Sequence, residues 1–108
     1  MKHLLFVFFI VVLTSCGSSK PVVKKELHIK NHVFSPSIVR AKENEVLKLI
    51  VYNDDNTVEE FESFDLKREK IVPAKGKITV TVGPLKKGSY EFFGEFNMET
   101  AKGKIIVE

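Results

Sequence analysis

The chain is poor in the residues that most often carry chemistry. Among 108 residues there is one cysteine, Cys16, and no tryptophan. A single cysteine excludes a disulfide within the chain and any CxxC motif. The three histidines are His3, His28 and His32, and none stands in an HExxH pattern. There is no phosphate loop and no Ser/His/Asp grouping with readable spacing, so nothing assigns catalysis and the chain is read as a non-enzyme. A large charge excess is also missing. The formal net charge is +3; without Lys2 it is 3 − 1 = +2, too mild to argue for nucleic acid. The evenly scattered lysines read as a solvated surface. The run Leu4–Leu13 is apolar throughout, but it is too short for a membrane span, which needs about 20 residues.

That run does suit another role. "MKHLLFVFFIVVLTSC" has a basic start at Lys2, the apolar stretch, and then "LTSC", the layout of a signal peptide. "LTSC" resembles the bacterial lipobox, which implies that Cys16 becomes the lipid-bearing first residue of the mature protein. The expected organisation is a signal peptide over 1–15, a lipidated Cys16 with a polar tether over 16–25, and one domain over 26–108. The protein is then an exported lipoprotein on the periplasmic side of a membrane, held there through acylated Cys16. Gly17 after the cysteine favours the outer membrane if the cell is Gram-negative.

The remainder reads as strands. "VVKKELHIK" (22–30) alternates in part, and "VFSPSIVRA" places Phe34, Ile38 and Val39 around a proline that suits an edge or bend. "KEN" is a turn in which Asn44 takes a left-handed conformation at low cost. "EVLKLIVYN" is apolar enough for a central strand. "KIVP" and "KITVTV" are β-branched runs split by "AKG", and "SYEFFG" and "GKIIVE" close the chain. Only "FDLKREK" offers a turn or two of helix. Phe34, Phe61, Tyr90, Phe92 and Phe93 are the bulky core candidates. Many short strands in so few residues predict an all-β fold, a sandwich or Greek-key barrel.

At this level of detail the chain resembles a cupredoxin-like domain. "VFSPSIVRAKENEVLKLIVYN" is similar to the opening of that family, with Asn44 at the turn-glycine place, and "GPLKKGSYEFFGEF" with "AKGKIIVE" is similar to its ending. "EEFESFDLKREKIVP" looks like the members associated with bacterial periplasmic iron-uptake components. The resemblance implies a cupredoxin-like Greek-key β-sandwich, metal handling with iron or copper, and an envelope metal-uptake protein as partner. Blue-copper members hold copper with two His, a Cys and a Met. The pattern puts those places at Glu59, Gly94, Asn97 and Ala101, so the resemblance implies no type 1 copper here.

What remains for a metal is acid. Asp54, Asp55, Glu59, Glu60, Glu62, Asp65 and Glu69 are seven of the fourteen carboxylates. In an extended 58–63 segment Glu59 shares a face with Phe61 and points toward the core mouth, while Glu60 and Glu62 share the other face. Glu59 is therefore the first candidate ligand, with Glu95, Met98 and Glu99 as loop partners and Glu62 and Asp65 behind them. Such donors suit hard or borderline ions. The same acids also read as a solvated face paired with Lys67, Arg68 and Lys70, and Met98 as a packing residue. His28 and His32, if both in one strand, lie about 13 Å apart and share no ion; both are read as surface residues. Two functions stay open: a metal-handling accessory domain, and a metal-free β-sandwich adaptor that presents its acidic end to an envelope protein.

Overall fold

The computed structural model describes residues 20–108. The expectations for the signal peptide and for Cys16 lie outside the described residues. Among the described residues nine strands build two packed sheets: β1 Val22–Lys30, β2 Val33–Ser35, β3 Ile38–Ala41, β4 Val46–Asn53, β5 Glu59–Ser63, β6 Arg68–Val72, β7 Lys77–Val82, β8 Gly88–Gly94 and β9 Lys102–Val107. One sheet has the order β2-β1-β4-β7 and the other β3-β9-β8-β5-β6. The all-β sandwich expected from the sequence is what forms.

Alternation decides which side chains meet between the sheets. In β7, Ile78, Val80 and Val82 face in; in β9, Ile105 and Val107 do so. Phe34, Phe61 and Phe92 meet at the centre, with ring centroids 5.0–6.3 Å apart. Such aromatic contacts add about 0.5–1.5 kcal/mol each beyond burial. Tyr90 packs against this core half-buried. Phe93, expected in the core, faces out, because neighbours in a strand cannot share a face; its ring leans on that of Phe64 at 5.4 Å.

Two further expectations need correction. "FDLKREK" forms no helix: Phe64–Lys67 is a turn, with Lys67 at φ 56, and Arg68 starts strand β6. The strand wins because β5 offers a partner for every residue from Arg68 to Val72. Arg68 and Lys70 therefore point inward rather than toward the acids. Arg68 donates to the Thr81 carbonyl at 3.3 Å and Lys70 to that of Thr79 at 3.4 Å. Both lie across the gap on β7, so these cations cover a strand edge that would otherwise be free. The strand read over 22–30 does form, and its first residues, Val22–Lys25, run parallel to Val46–Leu49.

The arrangement leaves β5 between β8 and β6, with the Gly94–Ala101 loop folded over its start. Asn44 at φ 76 makes the left-handed turn expected of it.

Candidate metal centre

Glu59 opens β5 on the inward face and is 2% exposed. A carboxylate this buried is costly unless its oxygens are satisfied. They are. Oε1 accepts the backbone N–H groups of Glu60 and Phe96, both at 2.9 Å, and Oε2 accepts Asn97 Nδ2 at 2.7 Å. Two of these donors come from the short 3-10 turn Glu95–Asn97. The loop is held in turn by its own backbone: Ala101 N–H donates to the Asn97 carbonyl at 2.8 Å and Gly94 N–H to that of Ala101 at 2.9 Å.

Gly94 is required for space rather than conformation, its φ being an ordinary −95. A Cβ at this position would lie 2.7 Å from both Glu59 Cδ and Ala101 Cβ. The four places assigned by the family pattern therefore do come together. Between them is no thiolate, imidazole or thioether, and the space is taken by the Glu59 carboxylate and its donors. This arrangement does not fit a type 1 copper ion.

The loop candidates separate. Met98 is exposed (53%), Glu99 is exposed as well, and neither is a hydrogen-bond partner of Glu59. Asp65 is committed elsewhere, its Oδ2 accepting the Glu91 N–H at 2.8 Å. Glu62 and Glu95 instead join Glu60 and Glu69 on the outer face of the sheet. One carboxylate oxygen from each of these four lies within 4.8 Å of the others. Strand register is the cause: Glu62 stands directly opposite Glu69, and Glu60 two residues away lies on the same face. Glu62 Oε2 is buried without a hydrogen-bond partner. Among the described residues the acid–base contacts are His28–Asp54, His32–Asp55 and Arg40–Glu108, so no cation neutralises the cluster.

Crowding shows in protonation. A hydrogen bond shared with Glu69, then burial, then the charges of Glu69, Glu95 and Glu59, push the Glu60 carboxyl up to about 7 from its ordinary 4.5. The folded protein thus holds a proton that the unfolded chain releases. Stability attributable to this group is full below 4.5 and is lost as pH rises toward 7. Thermal melting across that range is expected to show the fall, and Glu69→Gln is expected to flatten it.

His28 and His32 stand apart from this cluster. The chain turns through Asn31 (φ 52) and His32 (φ 60), and each histidine faces its own aspartate, His28 Nδ1 to Asp54 at 2.9 Å and His32 Nδ1 to Asp55 at 3.6 Å. Burial works to raise the Asp55 carboxyl, but it ends lowered, because the N–H groups of His32 and Asn31 donate to it and the charges of His32 and Lys75 lie near.

Comparison with known proteins places the chain. It belongs to the family described as the cupredoxin-like domain, whose model matches residues 3–107. It is 46% identical over 86 residues to an uncharacterised protein of Rickettsia prowazekii (strain Madrid E), covering 80% of this chain and 69% of that protein. The fold is similar to the metal-binding domain of the Cu(I)-exporting P-type ATPase CopA of Streptococcus pneumoniae, determined with Cu(I), at a TM-score of 0.73 with 12% identity, over 83% of this chain and 89% of that one. It is also similar to a copper-binding protein solved in its apo form, at a TM-score of 0.71 with 16% identity, over 83% and 91% of the two chains.

Proposed function

We propose that this is a membrane-anchored, extracytoplasmic metal-handling accessory protein, which takes its cation at the outer carboxylate cluster and not at the cupredoxin copper position. The observation that carries this reading is the buried, unpartnered Glu62 Oε2 inside a group of four carboxylates. A carboxylate oxygen left without a partner among other acids is stabilised by a bound cation, and four hard oxygen donors suit iron better than Cu(I). The copper-binding descriptions of the fold's neighbours support metal handling as a class of function. The "LTSC" sequence supports the lipid anchor at Cys16, and the iron-uptake resemblance supports an envelope uptake protein as partner.

Elemental analysis of protein purified from its native envelope tests the proposal. Stoichiometric iron or copper is expected. Protein free of both metals, from cells grown with both, counts against it.

A second reading has its own support. Glu59 is satisfied by three hydrogen bonds within the chain, so the sandwich needs no ion to close its loop end. This favours a metal-free adaptor that meets an envelope protein, and recovery of such a protein with metal-free material is its expected result.

A further inference from the structure

The outer face of the five-stranded sheet carries a charge pattern of which the cation reading uses only the acidic half. Register fixes what stands in each row. Across β6, β5, β8 and β9 one row reads Glu69, Glu62, Phe93, Lys102. The next row on that face has Glu91 on β8, Lys104 on β9 and Ile38 on β3, and the one beyond it has Ser89, Ile106 and Arg40. Acids therefore occupy the β5–β6 side, with Glu95 beside them, while Lys102 and Lys104 carry the positive charge of the β9 side, Arg40 on β3 being paired with Glu108. The central strand β8 separates them. Apolar side chains remain uncovered on the same face: Phe64 is 75% exposed, and Met98 and Ile71 are about half exposed. Met98 borders a depression with Phe93, Glu91 and Lys102.

We infer that this face is a self-association surface, on which the acidic half of one chain docks against the basic half of a second copy about a two-fold axis running along β8. Such an axis turns the second sheet face-down and exchanges its β9 with β5, while preserving height along the strands. Lys102 of the second copy then stands over Glu62, Glu62 of the second copy over Lys102, and the two Phe93 rings meet at the axis. The contact is isologous, each patch serving both copies. Aligned sheets pack about 10 Å apart, a gap that paired Lys and Glu side chains reach across. An unrelated basic partner would satisfy the acids but would have no use for the matching lysines on the other side of Phe93. The proposal has one built-in cost: the two Glu91 carboxylates face each other across the axis. A five-stranded face measures roughly 24 Å by 17 Å, which belongs with small, transient interfaces, so weak association is expected.

The inference does not rest on the cation reading, although Glu62 and Glu69 are common to both and a bound cation would compete with the second copy. Sedimentation velocity on the full chain in detergent, with chelator present, tests it. The wild type is expected to dimerise with rising concentration and to dissociate with added salt. Lys102→Glu alone and Glu62→Lys alone are each expected to weaken association at least about tenfold, because each reverses both symmetry-related pairs. An equimolar mixture of the two is expected to regain the dimer, and Glu91→Gln to tighten it. If Glu62→Lys fails to fold, Glu62→Gln replaces it in the single-variant test, with a smaller loss expected because each pair is weakened rather than reversed. A wild type that stays monomeric to millimolar concentration overturns the proposal. So does association that survives Lys102→Glu, which would reflect shared micelles, or a mixture that stays monomeric.

Discussion

Glu59→Ala is expected to destabilise the domain by about 3–5 kcal/mol, the largest effect of any single truncation near the loop end. The substitution removes the acceptor for three donors at once: the N–H groups of Glu60 and Phe96, and Asn97 Nδ2. Two of the three belong to the 3-10 turn, so the loop loses its anchor as well. In a domain of this size the loss lowers Tm by more than about 12 °C. Glu59→Gln should cost far less, below about 1.5 kcal/mol. Its carbonyl oxygen keeps both backbone donors, and Asn97 can flip its amide to accept from the new NH2. Asn97→Asp sets the opposite condition, with two carboxyl groups at the 2.7 Å contact; it should be tolerated only at acid pH, where one of them holds a proton. The melting curve of Asn97→Asp separates a hydrogen-bonded lock from simple filling of space, since Asn and Asp fill nearly the same volume and only the donor is lost.

Gly94→Cys has the second large effect, expected at about 2–4 kcal/mol. It restores the residue type that blue-copper relatives carry at this place, yet its Cβ would sit 2.7 Å from Glu59 Cδ and from Ala101 Cβ. The new side chain must push the Glu59 carboxylate off its donors. No copper-thiolate absorption is expected on adding Cu(II), because neither described histidine is at this site: His28 and His32 face Asp54 and Asp55. The two effects should not add. In Gly94→Cys/Glu59→Ala the carboxylate that clashes is gone, so the double variant is expected to be more stable than the sum of the two single changes. Chemical denaturation of the four proteins gives the cycle directly.

Much of this lock was legible in the sequence, because it depends on alternation. With Val58–Ser63 extended, Phe61 fixes the inward face and Glu59 must share it, as it does. The family pattern likewise brought Gly94, Asn97 and Ala101 to the same point. It could not show that the emptied place is filled by the side chain standing at its rim. That follows from two changes acting together, a glycine that makes room and an asparagine whose amide reaches the carboxylate. The outer cluster was harder to read. Alternation puts Glu60 and Glu62 on one face, but their company depends on the register of β6. The segment that carries Glu69 has weak helical character on its own and becomes a strand only because β5 lies alongside. Phe93 was misplaced for a related reason: "EFF" gives two adjacent aromatics, and only the contacts of β8 decide which one faces in. Arg68 and Lys70 are close to the acids in sequence, but alternation within β6 turns them to the inner side, where the carbonyls of β7 receive them.

The central claim is that the place of the cupredoxin copper has become an internal lock, while the capacity for a cation has moved to the outer carboxylates. Calorimetric titration with Fe(III), Cu(II) and Ca(II) tests it most directly, on the wild type, on Glu59→Gln and on Glu62→Gln/Glu69→Gln. Cation binding is expected in the wild type and in Glu59→Gln at similar affinity, and is expected to vanish in the double variant. Binding heat that disappears in Glu59→Gln but survives in Glu62→Gln/Glu69→Gln would return the ion to the inner position and contradict the account.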